Sequence, residues 1–285
     1  MSNPSPMKST SEMGKGPSTI IRTPRRASAR SAHVLRDLLF VLASRDIKIK
    51  YKQSVMGLLW AILMPAIIVG AGMLIRVAAS RMSGTPLSPD SLASIAVKAL
   101  PWAFFVGAIR FATNSLTSNS NLVTKINCPR IAFPAAAVLS ALFDLLVAIV
   151  PLIAVLAWCG ILPSYQLLWV PLILVLLVLL VSGLGIAFAA GNLFFRDVKY
   201  IVEVVLTFAI FFTPVLYEVD MLGDWQFWVL LNPISPLLEG LRTAVVLRMT
   251  PDIGWLLYSA VVSLLVFAGG WLLFHKLEPA FADSV

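Results

Sequence analysis

Residues 167–194 read LLWVPLILVLLVLLVSGLGIAFAAGNLF, without a single Asp, Glu, Lys, Arg or His. A bilayer's hydrocarbon core is roughly 30 Å thick, and a helix needs about 20 apolar residues in a row to cross it. This run is long enough with residues to spare. The rest of the chain has the same character. Its 285 residues are 59% hydrophobic and 13% charged, with a mean hydropathy of +0.90. A soluble domain is about a quarter charged, so this chain has too few charges to cover a water-facing surface. An ordinary cytosolic enzyme, a disordered chain and a disulfide-framed protein are excluded. A membrane β-barrel needs segments of about ten residues with alternating polarity, and none is found. The expected fold is all-α: a helical bundle in a lipid bilayer.

Working outward, further spans are expected at 57–75 (with Pro65 inside), 99–116, 131–156, 200–216 and 253–274. The span at 99–116 is the weakest of these, because it contains Arg110 and Asn114. Six crossings place both termini on one side. Of the 22 Lys and Arg, eleven lie at or before Lys52; Lys125, Arg130, Arg196, Lys199 and Lys276 join them on that side. Only Arg76, Arg81, Lys98, Arg242 and Arg248 fall on the other. By the positive-inside rule both termini are cytoplasmic. The net charge of +8 then reflects topology and attraction to anionic lipid, and nucleic-acid binding is not inferred from it.

Residues 1–32 are rich in Ser, Pro, Lys and Arg, with Glu12 the only acid. They lack the apolar core of a cleavable signal peptide and are expected to form a disordered basic cytoplasmic tail. An organelle transit peptide is the lesser reading. Residues 33–52 come next. Leu35, Leu38, Leu39 and Leu42 recur at one face of a helix, followed by the basic collar Arg45, Asp46, Lys48, Lys50, Tyr51 and Lys52. Too short and too charged to span, this segment is expected to lie in the membrane interface. The six-span domain then covers 53–276, with a cytoplasmic tail at 277–285.

Between the last two spans, residues 218–252 contain two apolar pieces too short to cross: Trp225–Leu231 and Leu237–Leu247. Ser235 is placed to cap the second helix, with Pro236 at its first position. Two readings stand. Either the pieces dip into the bilayer and return, which requires protein or water around them, or they lie on the outer surface. Arg110, Asp144 and Glu203 fall within spans, where a charge is costly and faces protein or water. Two expectations follow: a functional role for these charges, or a structural pair between Asp144 and Arg110. Gly183, Ala187 and Gly191 are spaced for close helix packing. The aromatics Trp60, Phe104, Phe105, Phe208, Phe211, Phe212 and Tyr217 are candidates for lining a conduit along which a sugar chain slides. The alternative for them is an interfacial belt.

Chemistry of the chain's own is not apparent. Cys128 and Cys159 flank one span and are not expected to pair. No Cys, His and carboxylate grouping has metal-ligand spacing. A phosphate loop, a Ser-His-Asp set and a plausible carboxylate pair are all lacking, and Gly14-Lys15-Gly16 does not meet the phosphate-loop pattern. The energy for any transport must therefore come from a gradient or from another subunit.

Four segments carry a resemblance. Arg45 to Trp60 (RDIKIKYKQSVMGLLW), Asn121 to Arg130 (NLVTKINCPR), Phe195 to Tyr200 (FRDVKY) and Asn232 to Pro236 (NPISP) resemble permeases of the ABC-2 family. More narrowly they are similar to the branch that exports capsular polysaccharide, O-antigen and teichoic acid-type polymers. The likeness covers about Val34 to Lys276. It implies six spans, an interfacial N-terminal helix and two short re-entrant outer gate helices. It also implies a homodimer driven by two separate ATPase subunits, which carry the ATP and Mg, with no cofactor on this chain. The substrate implied is a lipid-linked polysaccharide crossing the bacterial inner membrane. In this picture Asn121, Thr124, Lys125, Asn127, Pro129 and Arg130 dock the ATPase. The collar meets membrane lipid and the substrate's lipid head. Asn232, Pro233, Ser235, Pro236, Glu239 and Arg242 form the outer gate. Rival readings are an ABC-2 exporter of a drug or small lipid, a gradient-driven carrier and an intramembrane transferase.

Overall fold

The computed structural model describes residues 28–52, 59–84, 89–120, 122 and 129–282. The helices are α1 (Ser28–Lys52), α2 (Leu59–Ser83), α3 (Pro89–Ser118), α4 (Ala132–Trp158), α5 (Trp169–Phe194), α6 (Val198–Ala209), α7 (Gln226–Leu230), α8 (Ile234–Arg242) and α9 (Ile253–Leu277). Short 3-10 turns at Tyr165–Leu168, Ile210–Phe212, Val219–Trp225 and Glu278–Ala282, and a π turn at Thr243–Leu247, complete the order. No strand occurs among the described residues. The five helices α2, α3, α4, α5 and α9 are long and apolar enough to cross a membrane.

The stretch expected as the fifth span departs from this pattern. Residues 198–209 make a helix of 12 residues, a 3-10 turn carries it to Phe212, and the backbone is extended at Thr213. At about 1.5 Å per residue α6 is roughly 18 Å long, well short of the bilayer core. The segment nonetheless leads from the end of α5 to Tyr217, whose carbonyl accepts a hydrogen bond from Lys98 Nζ at 2.6 Å near the start of α3. Other boundaries move outward. Helix α1 begins at Ser28, ahead of 33. Helix α2 runs to Ser83, through residues expected in an outer loop, and α3 begins ten residues ahead of the expected 99.

The largest revision concerns α3. The span with the weakest sequence signal is the centre of the bundle. Its most apolar stretch is 78% buried, against 11% for α2. The two facts have one cause. A helix enclosed by protein on every side needs no lipid-facing leucines, and small residues let its neighbours come close. Ala93, Ala99, Ala108 and Ala112 are fully buried, with α2, α4, α5, α6 and α8 packed around them.

Helices α5 and α9 meet at glycines. A Cβ on Gly183 would stand 2.6 Å from the backbone of Phe267, and one on Gly270 would overlap the Gly183 carbonyl. The neighbour of the small-residue stripe is thus a helix of the same chain. Replacing Gly270 with Ala must push the two backbones apart, at a cost of about 2–3 kcal/mol. Gly269 has open space where its Cβ would be. A thermal melt in detergent should show a lowered midpoint for Gly270→Ala and an unchanged one for Gly269→Ala.

Candidate functional site

The collar end is built on α1. Leu42 and Ala43 are buried against Leu116, Ile131, Ala132 and Phe274, so the apolar stripe of α1 packs on the end of the bundle. This seating places the collar's polar groups against α3 and α4. Arg45 donates from Nη2 to Asn119 Oδ1 at 2.8 Å and to Asp46 Oδ1 at 2.8 Å. Lys50 and Tyr51 both reach Asp144 on α4: the ammonium forms an ion pair with the carboxylate, and the phenol donates to its other oxygen. Burial, reinforced by the Asp144 carboxylate, holds the Tyr51 phenol above its ordinary pKa, so it stays a donor. Lys48 and Lys52 are exposed.

The expected Asp144–Arg110 pair does not form. Asp144 is taken by Lys50 and Tyr51, while Arg110 pairs with Glu203 on α6, Nη2 to Oε1 at 2.6 Å. Helix rotation decides this, because it brings α6 and α1 to those residues instead. A cavity of about 370 Å³ lies between α2, α3 and α4, with Lys50, Asp144 and Arg110 at one end and Trp60, Met64 and Phe104 along it. Phe105 is buried and stacks on Trp102 at 5.5 Å. Phe208, Phe211 and Phe212 are turned outward from the protomer. Tyr217 is half-buried, with its hydroxyl donating to the Phe211 carbonyl at 3.2 Å.

The opposite end holds an ion network. Lys98, 1% exposed, and Arg242, 7% exposed, sit on α3 and α8, and Arg76 closes the group from α2. Glu218 pairs with Arg76 and lies 3.3 Å from Arg242. Glu239 pairs with Arg242 and lies 3.6 Å from Lys98. Asp220, exposed at the rim, is 3.5 Å from Arg242. Charges this far from water persist only when paired, and here each cation has a carboxylate. Sequence reasoning proposed Glu239 and Arg242 but missed Arg76, Lys98, Glu218 and Asp220. The available signal was a charge standing alone beside an apolar run, as Lys98 does beside Ala99.

Helix α8 is buried among α3, α5 and α9, so protein surrounds it on several sides. Ser235 does not cap it. The helix starts at Ile234 with Pro233 before it, because the Asn232 carbonyl already accepts from the Ser235 amide at 2.8 Å. Asn232 donates to Thr213 Oγ1 at 3.1 Å, and the Pro233 carbonyl accepts from Ser259 on α9 at 2.9 Å. Pro236 is buried in the first turn. The second piece does not stay α-helical to Leu247: it loosens into the π turn and ends at Arg248, whose φ of +57° is rare for a side-chain-bearing residue. Of the proposed docking residues, Pro129 and Arg130 lie at the collar end, with Arg130 Nη1 donating to the Glu278 carbonyl at 3.1 Å. Asn121, Thr124, Lys125 and Asn127, together with Cys128, the tail to Ala27 and residues 53–58, lie outside the described residues.

Five bilayer-length apolar helices around buried, paired charges define an integral membrane protein whose polar groups serve a protein interior rather than lipid. The comparisons narrow that class. The chain belongs to the ABC-2 type transporter family, whose sequence pattern matches residues 37–246, as the four motif segments implied. It is similar to the O-antigen export system permease protein RfbA of Klebsiella pneumoniae: 30% identical over 260 residues, covering 87% of this chain and 95% of that protein. It is also similar to the protein of the same name from Myxococcus xanthus, 26% identical over 260 residues, covering 90% and 98% respectively. Family membership makes it a transport permease, not an enzyme.

Proposed function

We propose that this chain is the membrane permease of an ATP-driven exporter carrying a lipid-linked polysaccharide across the bacterial inner membrane, with both termini cytoplasmic. The similarity to O-antigen export permeases along nearly the whole of both chains carries this reading. Two copies line the path, and two separate subunits that bind ATP and Mg drive it. Residues 121–130 dock those subunits. Closure of the ATPase pair draws the two docking segments together and widens the path between the copies, and the polymer is threaded outward. Its lipid head passes the collar.

In this reading the chain crosses six times, with α6 and the irregular stretch to Tyr217 as the fifth crossing, and α7 and α8 re-enter as the outer gate. Two observations support a second copy. Arg110 and Glu203 pair on a face the protomer leaves open, with side chains 39% and 50% exposed. Charges there need water or protein rather than lipid. Phe208, Phe211 and Phe212 also face away from the protomer, as rings lining a shared conduit must, and Trp60 is exposed where it borders the cavity between α2, α3 and α4. Phe104 and Phe105 lie in the protomer core, so the conduit rests on the three outward phenylalanines and on Trp60.

Deleting the gene in its host and fractionating the glycans tests the reading. The expected result is a lipid-linked polymer accumulating in the cytoplasm and missing from the surface. Unchanged surface glycan, in a host shown to lack a second exporter, overturns the carbohydrate cargo and favours a drug or small lipid.

A further inference from the structure

We infer that the far end of each protomer, beside the ion network, holds a binding site for a neutral saccharide. The inference rests on the polysaccharide reading above and adds a contact that export by itself does not require. The site is a half-open pocket of about 880 Å³ between the Val219–Trp225 turn, α7, the end of α8 and the start of α9, lined among others by Gln226, Phe227, Glu239, Arg242, Thr250 and Trp255. It is distinct from the collar-end cavity, with which it shares no residue.

The lining selects the ligand class. Gln226 and Thr250 are exposed side chains that can both donate and accept hydrogen bonds, matching the vicinal hydroxyls of a sugar. Phe227 and Trp255 meet edge to face with ring centroids 5.8 Å apart and together form an apolar part of the lining, against which the C–H side of a pyranose can pack. Charge settles the rest. Arg242 is neutralised by Glu239, Glu218 and Asp220, and Asp252 Oδ1 accepts from the first amides of α9, Gly254 N at 2.9 Å and Trp255 N at 3.2 Å. The one cation in the lining, Arg242, is held by carboxylates and is not free to bind a phosphate, while Asp220 at the rim and Asp252 keep their charge, so the pocket repels an anionic ligand and offers acceptors to hydroxyl donors. A neutral polyol, rich in hydroxyl donors and free of negative charge, fits this lining, and the volume exceeds that of one sugar ring. A polymer leaving the path would be held here by its chain, so that it does not slide back.

The test uses the full-length chain in detergent and the host's own surface glycan, released from its lipid by mild acid. Saturation-transfer NMR and tryptophan fluorescence should detect binding to the wild type. Gln226→Ala and Thr250→Val should each weaken it roughly tenfold, the effect of one lost hydrogen bond. Trp255→Ala should abolish the fluorescence response, while Trp255→Phe retains binding in the NMR experiment. Both polar substitutions are at exposed positions, and unchanged melting curves will show that folding is intact. No binding by the wild type, or equal binding by Gln226→Ala and Thr250→Val, overturns the site. So does tighter binding of tetraphenylphosphonium than of glycan. If gene deletion abolishes surface glycan while the pocket binds none, the export reading stands and only this inference falls.

Discussion

Arg242→Ala should be among the most damaging single substitutions in the protein, lowering stability by about 3–5 kcal/mol. The guanidinium is buried, and it holds Glu239 while standing 3.3 Å from Glu218 and 3.5 Å from Asp220. Among the described residues, removing it leaves Glu239 with Lys98, at 3.6 Å, and Glu218 with Arg76. The loss comes mainly from the carboxylates left behind, which must stay buried while under-compensated. Two comparisons isolate that cause. Arg242→Lys keeps the charge but loses the planar fork, so it should recover part of the loss. Arg242→Met combined with Glu239→Gln removes one charge of each sign and should melt above Arg242→Ala. If the double variant is no more stable than the single, the network is not what holds α8 in the bundle. Export should fall with stability, since α8 is the candidate gate.

Asp144→Ala is the second. It removes the only anion that the described residues place against Lys50, and it unties Tyr51 in the same step. The Lys50 side chain is 30% exposed and that of Asp144 18%, so the expected cost is somewhat below that of a fully buried pair, about 2–3 kcal/mol. Lys50→Met should cost a similar amount, and the Lys50→Met, Asp144→Leu double variant less than the sum of the two. Arg110→Ala, by contrast, should couple only weakly to Asp144→Ala, since the two border one cavity but share no ion partner. A thermal-melt cycle in detergent measures all of these. Strong coupling between Arg110 and Asp144 would contradict the pairing observed here. Beyond stability, Asp144→Ala should loosen α1 from α4, because the remaining described polar tie from α1 into the bundle is Arg45 to Asn119.

The two ends of the molecule differ in how much of them could be read in advance. At the collar end the basic residues, the apolar stripe of α1 and the motif at 45–60 were all visible, because each is a local pattern. What Lys50 does there was not, since its partner lies 94 positions away. At the far end Asn232 to Pro236 and the two short apolar pieces were legible, and so was the choice between dipping in and lying flat. The burial of α8 among α3, α5 and α9 was not, and neither was its start, which a backbone hydrogen bond from Ser235 to Asn232 sets in place of a side-chain cap. Lys98 was read as a mark of the outer side. It is a buried member of the network, and its presence cut the expected second span short.

The sequence by itself determined that this is a multi-span helical membrane protein, which end of it is basic, and, through four motif segments, which family it belongs to. Hydropathy suffices for these because the cost of putting a residue in lipid depends on that residue and its near neighbours along one helix. Only the tertiary structure decided that α3 is the centre, that α6 is too short to cross as a helix, and which carboxylate neutralises each buried cation. Those outcomes depend on the rotation and depth of helices tens of residues apart. A one-turn difference in either would leave every span intact while exchanging the partners of Arg110, Asp144 and Arg242.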